Sequence, residues 1–82
     1  MNLCFLKGKI VSDIYFKFII NSNNCSISYF YIELKNNSVI KIIGYNEIAD
    51  YCYSKLSKND YIFIEGILND DYEVILNNII KC

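Results

Sequence analysis

Tyr29, Tyr31, Lys41 and Tyr45 are the residues best able to do chemistry in this chain. If residues 26–34 and 39–44 are paired strands, period-two alternation puts all four on one outer surface, with Tyr45 at its end. Lys7 and Lys9 alternate in the same way and extend it. Rings interleaved with ammonium groups suit single-stranded nucleic acid. Every base has a π-face whose stacking on an aromatic ring is worth ~1–3 kcal/mol, and lysines neutralise the phosphates between bases. Val39 and Ile43 lie on the same surface and make it more apolar than a solvated one. The alternative is therefore that Tyr29, Tyr31 and Ile43 pack a second protomer.

The other candidates are weaker. Histidine is absent, which removes the commonest general base and metal ligand. Nothing in their spacing makes Glu33 and Glu65 a hydrolytic pair, and strand carboxylates are usually solvated or lysine-paired. Asp70, Asp71 and Glu73 lack the glycine and the spacing of a calcium loop, so they read as a solvated turn. Cys4, Cys25, Cys52 and Cys82 contain no C-x-x-C pair, and read as small hydrophobes in a reducing compartment. No catalytic residue, metal or cofactor is expected, and the chain does not read as an enzyme.

Eighty-two residues allow a single domain, 1–82, with one core. At 54% hydrophobic and 21% charged residues the chain is too apolar for disorder, yet no run approaches the ~18 apolar residues of a membrane span. Lys7 interrupts the run from Leu3 to Leu6, so no secretory leader is expected. A net charge of -1 and a pI near 5.2 confine any nucleic-acid site to a local patch. A mean hydropathy of +0.20 leaves more apolar residues than one small core can hide, so a homo-oligomer is expected. Ile, Asn, Lys, Tyr and Phe make up 48 of the 82 residues. Their codons all begin with two A or T bases, the signature of an AT-rich genome such as a plastid's or a reduced bacterium's.

The elements that would position the tyrosines and lysines follow from periodicity. Residues 2–12 form a long apolar strand that Gly8 is expected to bend through a bulge. Residues 15–20 are aromatic and β-branched, ending in the turn formers of 21–24. Residues 26–34 alternate, turning Phe30 and Ile32 inward, and the tight connection 35–38 leads into a hairpin with 39–44. The period then changes. Asn46 suits an N-cap, Glu47 and Asp50 fall in a first turn, and Ile48, Cys52 and Leu56 recur on one face of the only convincing helix. Residues 61–66 and 72–80 read as two further strands. Five strands with a helix between the third and fourth give an all-β oligonucleotide-binding (OB) fold, a Greek-key barrel whose second and third strands carry the usual ligand face.

Two stretches resemble the bacterial and organellar single-stranded DNA-binding proteins. The opening NLCFLKGKIVSD is similar to that family's first strand, which runs into a glycine and ends in an Asp. The stronger likeness is GYNEIADYCYSKLSKNDYIFIEGIL, where Ile48-Ala49-Asp50 resembles the family's helix and Ile64-Glu65-Gly66 its following strand. Composition and size also resemble small reading frames of plastid genomes. The resemblance implies sequence-independent binding of single-stranded DNA, with Tyr45 at a stacking position, and a role in DNA replication in a plastid stroma or in the cytoplasm of an AT-rich bacterium. Tyr29 and Tyr31 come next as stacking residues, with Lys7, Lys9 and Lys41 as phosphate contacts.

The departures are specific. Val39 occupies a stacking position where it cannot stack. The connections 35–38 and 69–71 are too short for the family's long wrapping hairpins. Asn59 replaces a turn glycine, a change Asn tolerates because it enters left-handed backbone readily. The acidic recruitment tail of the bacterial proteins is not expected. These departures leave an alternative open, an OB-fold oligomerisation or scaffold module of a replication complex that has lost most DNA binding.

Overall fold

The structure is a computed structural model that describes residues 2–20 and 25–82. The turn expected at 21–24 lies outside the described residues. In chain order the described elements are β1 (Leu3–Ile10), β2 (Tyr15–Ile19), β3 (Cys25–Glu33), β4 (Val39–Tyr45), α1 (Glu47–Lys55), β5 (Tyr61–Leu68) and β6 (Glu73–Lys81). The ring β1-β5-β6-β4-β3 closes on itself where Lys9 and Ile10 of β1 pair with Glu33 and Ile32 of β3. β4 and β6 run parallel, and the other neighbours are antiparallel. This is the five-stranded OB barrel, with α1 between its third and fourth strands in chain order.

β2 adds a sixth strand to that barrel. The closing pair with β1 takes only the C-terminal end of β3, which would leave the backbone groups of its N-terminal half unpaired. Residues 15–19 pair with that half, from Tyr15 opposite Tyr29 to Ile19 opposite Cys25. Between the two segments, Val11 N–H donates to Tyr31 O at 2.9 Å and Tyr31 N–H donates to Ser12 Oγ at 2.9 Å. One edge of β3 is thus covered in three sections.

Alternation fills the barrel. Phe30 and Ile32 of β3, Ile42 of β4, Ile62 and Ile64 of β5, and Val74 and Leu76 of β6 form one buried cluster with Ile10. α1 adds Cys52, and Leu56 follows from the segment just after the helix. Two inward positions of β3 are serines. Ser28 Oγ donates to Ala49 O at 2.9 Å and Ser26 Oγ to Asp50 Oδ1 at 3.0 Å, so small buried hydroxyls tie the helix to the strand. Gly44 lets α1 approach β4, since a Cβ there would stand 3.0 Å from Ile48 Cγ2.

Some local expectations require correction. Asn46 sits at the helix start, but its side chain makes no cap. Its backbone has a positive φ of 57° with ψ -121°, and its carbonyl accepts from Asp50 N–H at 3.0 Å and Ser26 Oγ at 3.3 Å. The β1–β5 ladder runs unbroken past Gly8, and the register irregularity falls between Glu65 and Gly66 instead. Gly8 serves close approach, because a Cβ would meet Glu33 O at 2.8 Å where β1 changes partners. β6 begins at Glu73, since Tyr72 turns the corner at φ 60°. Asn59, in place of the turn glycine, is left-handed as its type allows, at φ 80°.

Candidate nucleic-acid interface

The ladders arrange the outer side chains of β2, β3 and β4 in rows. Lys17, Ile27 and Tyr45 share one row, and Tyr15, Tyr29 and Ile43 the next, continued by Ile75 of β6. Tyr31, Lys41 and Glu73 form the third, and Lys9, Glu33 and Val39 the fourth. Tyr29, Tyr31, Lys41, Tyr45 and Lys9 therefore do share one surface. Lys7 lies farther along β1, opposite Phe63 of β5.

The members of this surface differ in what they can still bind. Tyr45 is 43% exposed at the end of β4, next to no charged side chain in its ladder other than Lys17 across Ile27. Tyr31 is half-buried, with its main chain fixed by Val11 and Ser12. Tyr29 is engaged on its ring: Tyr15 stacks on it at 4.8 Å between centroids and 20° between planes, and Lys41 Nζ lies 4.6 Å from its centroid. Lys41 is also paired with Glu73 at 3.3 Å. Ile43 is only 9% exposed, covered within the chain itself, which weakens its case as a protomer contact.

Lys7 and Lys9 open onto a shallow cleft of about 430 Å³ that also includes Lys35, Asn37, Glu33 and Tyr61. Three ammonium groups against one carboxylate make it the basic part of the surface. Lys7 Nζ stands 5.2 Å over the Phe63 ring. The acidic hairpin is organised differently from a metal loop. Asn69 Oδ1 accepts from Asp71 N–H and Glu73 N–H, both at 2.9 Å, and Asn69 Nδ2 donates to Glu73 Oε1 at 3.1 Å. That amide, helped by Lys41, holds the Glu73 carboxyl below its ordinary range. Among the described residues, no three His, Cys, Asp or Glu side chains converge as a metal site. Cys52 is buried and its thiol is pushed up to about 11 by that burial, so it stays neutral and unreactive.

Sequence reasoning passed over Tyr15, Lys17, Lys35 and Tyr61. The parity of Tyr15 and Lys17 was readable, but placing them beside Tyr29 and Tyr45 requires the β2–β3 register. That register depends on the length of the connection between the strands, which periodicity leaves free.

The chain matches no protein-family model and no curated protein. Solved structures do match. The single-stranded DNA-binding domain of a Synechococcus protein superposes with a TM-score of 0.85 at 18% identity, over 96% of this chain and 93% of that one. The wild-type single-stranded DNA-binding protein of Thermus aquaticus gives 0.82 at 16% identity, over all of this chain and 40% of that one. A deletion mutant of the Thermus protein gives 0.81 at 16% identity, with 41% of its length covered. This chain thus spans about two fifths of the Thermus protein but nearly all of the Synechococcus domain. Its fold is the OB barrel in the form these single-stranded DNA-binding domains share.

Proposed function

We propose that the chain binds single-stranded DNA without base preference, stacking bases on Tyr45 and Tyr31 and contacting phosphates through Lys9, Lys7 and, on release from Glu73, Lys41. One observation carries this reading: tyrosines and lysines occupy consecutive rows on the outer face of β3 and β4, in a barrel superposing on domains named for single-stranded DNA binding. The net charge of -1 is compatible with it because the cleft beside Lys7, Lys9 and Lys35 is locally basic. Fluorescence anisotropy of a labelled oligo-dT at low salt tests it. Saturable binding that weakens with salt is expected, and no binding at low salt would overturn it.

We also propose a homo-oligomer, built through a different face. Phe5, Phe63 and Ile80 are 69%, 50% and 61% exposed on neighbouring strands β1, β5 and β6. Covering them with a second copy accounts for their exposure and is compatible with DNA binding on β3–β4. Light scattering at tens of micromolar decides: a homo-oligomer is expected, and a species of 9.6 kDa would exclude it.

A further inference from the structure

An aromatic ring has two faces, and both faces of Tyr29 are taken. Tyr15 stacks on one at 4.8 Å and nearly parallel, which leaves only the other for the Lys41 ammonium 4.6 Å from the same centroid. A base could reach Tyr29 only by displacing one of them. Tyr15 itself is 45% exposed, and it belongs to β2, the strand at the end of the sheet order with, among the described residues, no strand hydrogen-bonded beyond it. Its face turned away from Tyr29 is therefore open. Two residues along the same side of β2 stands Lys17, exposed and in the row of Ile27 and Tyr45.

We infer that β2 extends the binding surface, with Tyr15 as a base-stacking platform and Lys17 as the phosphate contact beside it, the ligand being a single-stranded nucleic acid. The inference rests on the proposed DNA binding and adds to it a strand and two residues outside β3 and β4. Tyr15 is already held by Tyr29, so a base landing on it orders no new side chain, which favours binding there over binding to a free ring. The result is a four-layer stack of base, Tyr15, Tyr29 and the Lys41 ammonium. Tyr29 serves as the support of that stack and contacts no base.

The test is anisotropy with labelled oligo-dT on the full chain and four variants. Tyr15→Leu, which keeps an apolar cover on Tyr29, is expected to weaken binding roughly 5- to 150-fold, the range for one lost base stack. Tyr15→Phe should stay within about twofold, and Lys17→Gln should flatten the slope of log K against log salt by about 0.7. The chain has no tryptophan, so Tyr15→Trp introduces a single reporter whose emission should be quenched as oligo-dT saturates it. If the parent chain binds but Tyr15→Leu binds equally well and the tryptophan stays unquenched, this inference is wrong and DNA binding stands. If the parent chain does not bind, both fall.

Discussion

The Lys41 ammonium lies 3.3 Å from the Glu73 carboxylate across the parallel β4–β6 pair, with 31% and 24% of the two side chains exposed. A lysine so engaged must leave its partner before it can neutralise a phosphate. Glu73→Gln is therefore expected to tighten oligo-dT binding at low salt, because Lys41 no longer has to leave a partner. The sign with pH follows from Glu73 titrating below the ordinary carboxylate range. The pair is intact at neutral pH, and whatever stability it contributes is lost only as pH falls through that lowered value. Binding by the parent chain should gain from acidification only there, and Glu73→Gln should lack that gain. Equal affinities for parent and variant would show that Lys41 is not a phosphate contact.

Tyr45 should behave as a ligand-facing ring. Tyr45→Ala is expected to weaken oligo-dT binding by ~1–3 kcal/mol while the melting temperature barely moves, because a ring 43% exposed contributes little to the core. Tyr45→Phe should bind nearly as well as the parent, since stacking uses the ring and not the hydroxyl. A sharp fall in melting temperature with binding retained would make Tyr45 a packing residue.

Ser28 predicts a purely structural effect. Its hydroxyl is fully buried and donates to Ala49 O at 2.9 Å. Ser28→Ala should cost about 1–2 kcal/mol on denaturant unfolding, the scale of one lost buried hydrogen bond. The outer surface is untouched, so DNA affinity measured well below the melting temperature should be unchanged. A loss of affinity without a loss of stability would contradict this separation.

Tyr72 is 80% exposed yet holds φ 60°, a backbone that L side chains other than Asn and Asp rarely take. Tyr72→Asn should relieve part of that strain, stabilising the chain by up to ~1 kcal/mol, or about 4–8 °C in Tm for a domain of this size. The Tyr72 N–H to Asn69 O bond at 3.2 Å does not depend on the side chain and should survive. An unchanged or lower Tm would mean that the tyrosine ring contributes something the hairpin needs.

Residues with strict periodicity were legible. Alternation in 26–34 turned Phe30 and Ile32 inward, and the spacing of Ile48, Cys52 and Leu56 placed the helix, because burial acts on each of these side chains directly. What depends on register was not legible. Tyr29 alternates outward as expected, but its engagement by Tyr15 and Lys41 follows from ladder offsets and side-chain reach. Lys41 likewise looked like a free cation until the parallel pairing of β4 with β6 brought Glu73 beside it. The Asn46 cap failed for a local reason, since its positive φ departs from the extended torsions an N-cap takes.

Glycine commonly has two duties in a fold, yielding space and taking unusual torsions, and here they are divided. Gly66 has no room for a Cβ, which would stand 2.5 Å from Ile75 O, and Gly8 and Gly44 are similarly crowded, yet no glycine has positive φ. Among the described residues, positive φ falls instead to Asn37, Asn46, Asn59 and Tyr72. Asparagine tolerates positive φ better than most L residues, so these corners can do without glycine. Where two backbones touch, at Gly8 and Gly66, any Cβ is excluded. The joints of this barrel thus accept residues other than glycine, while its tightest contacts do not.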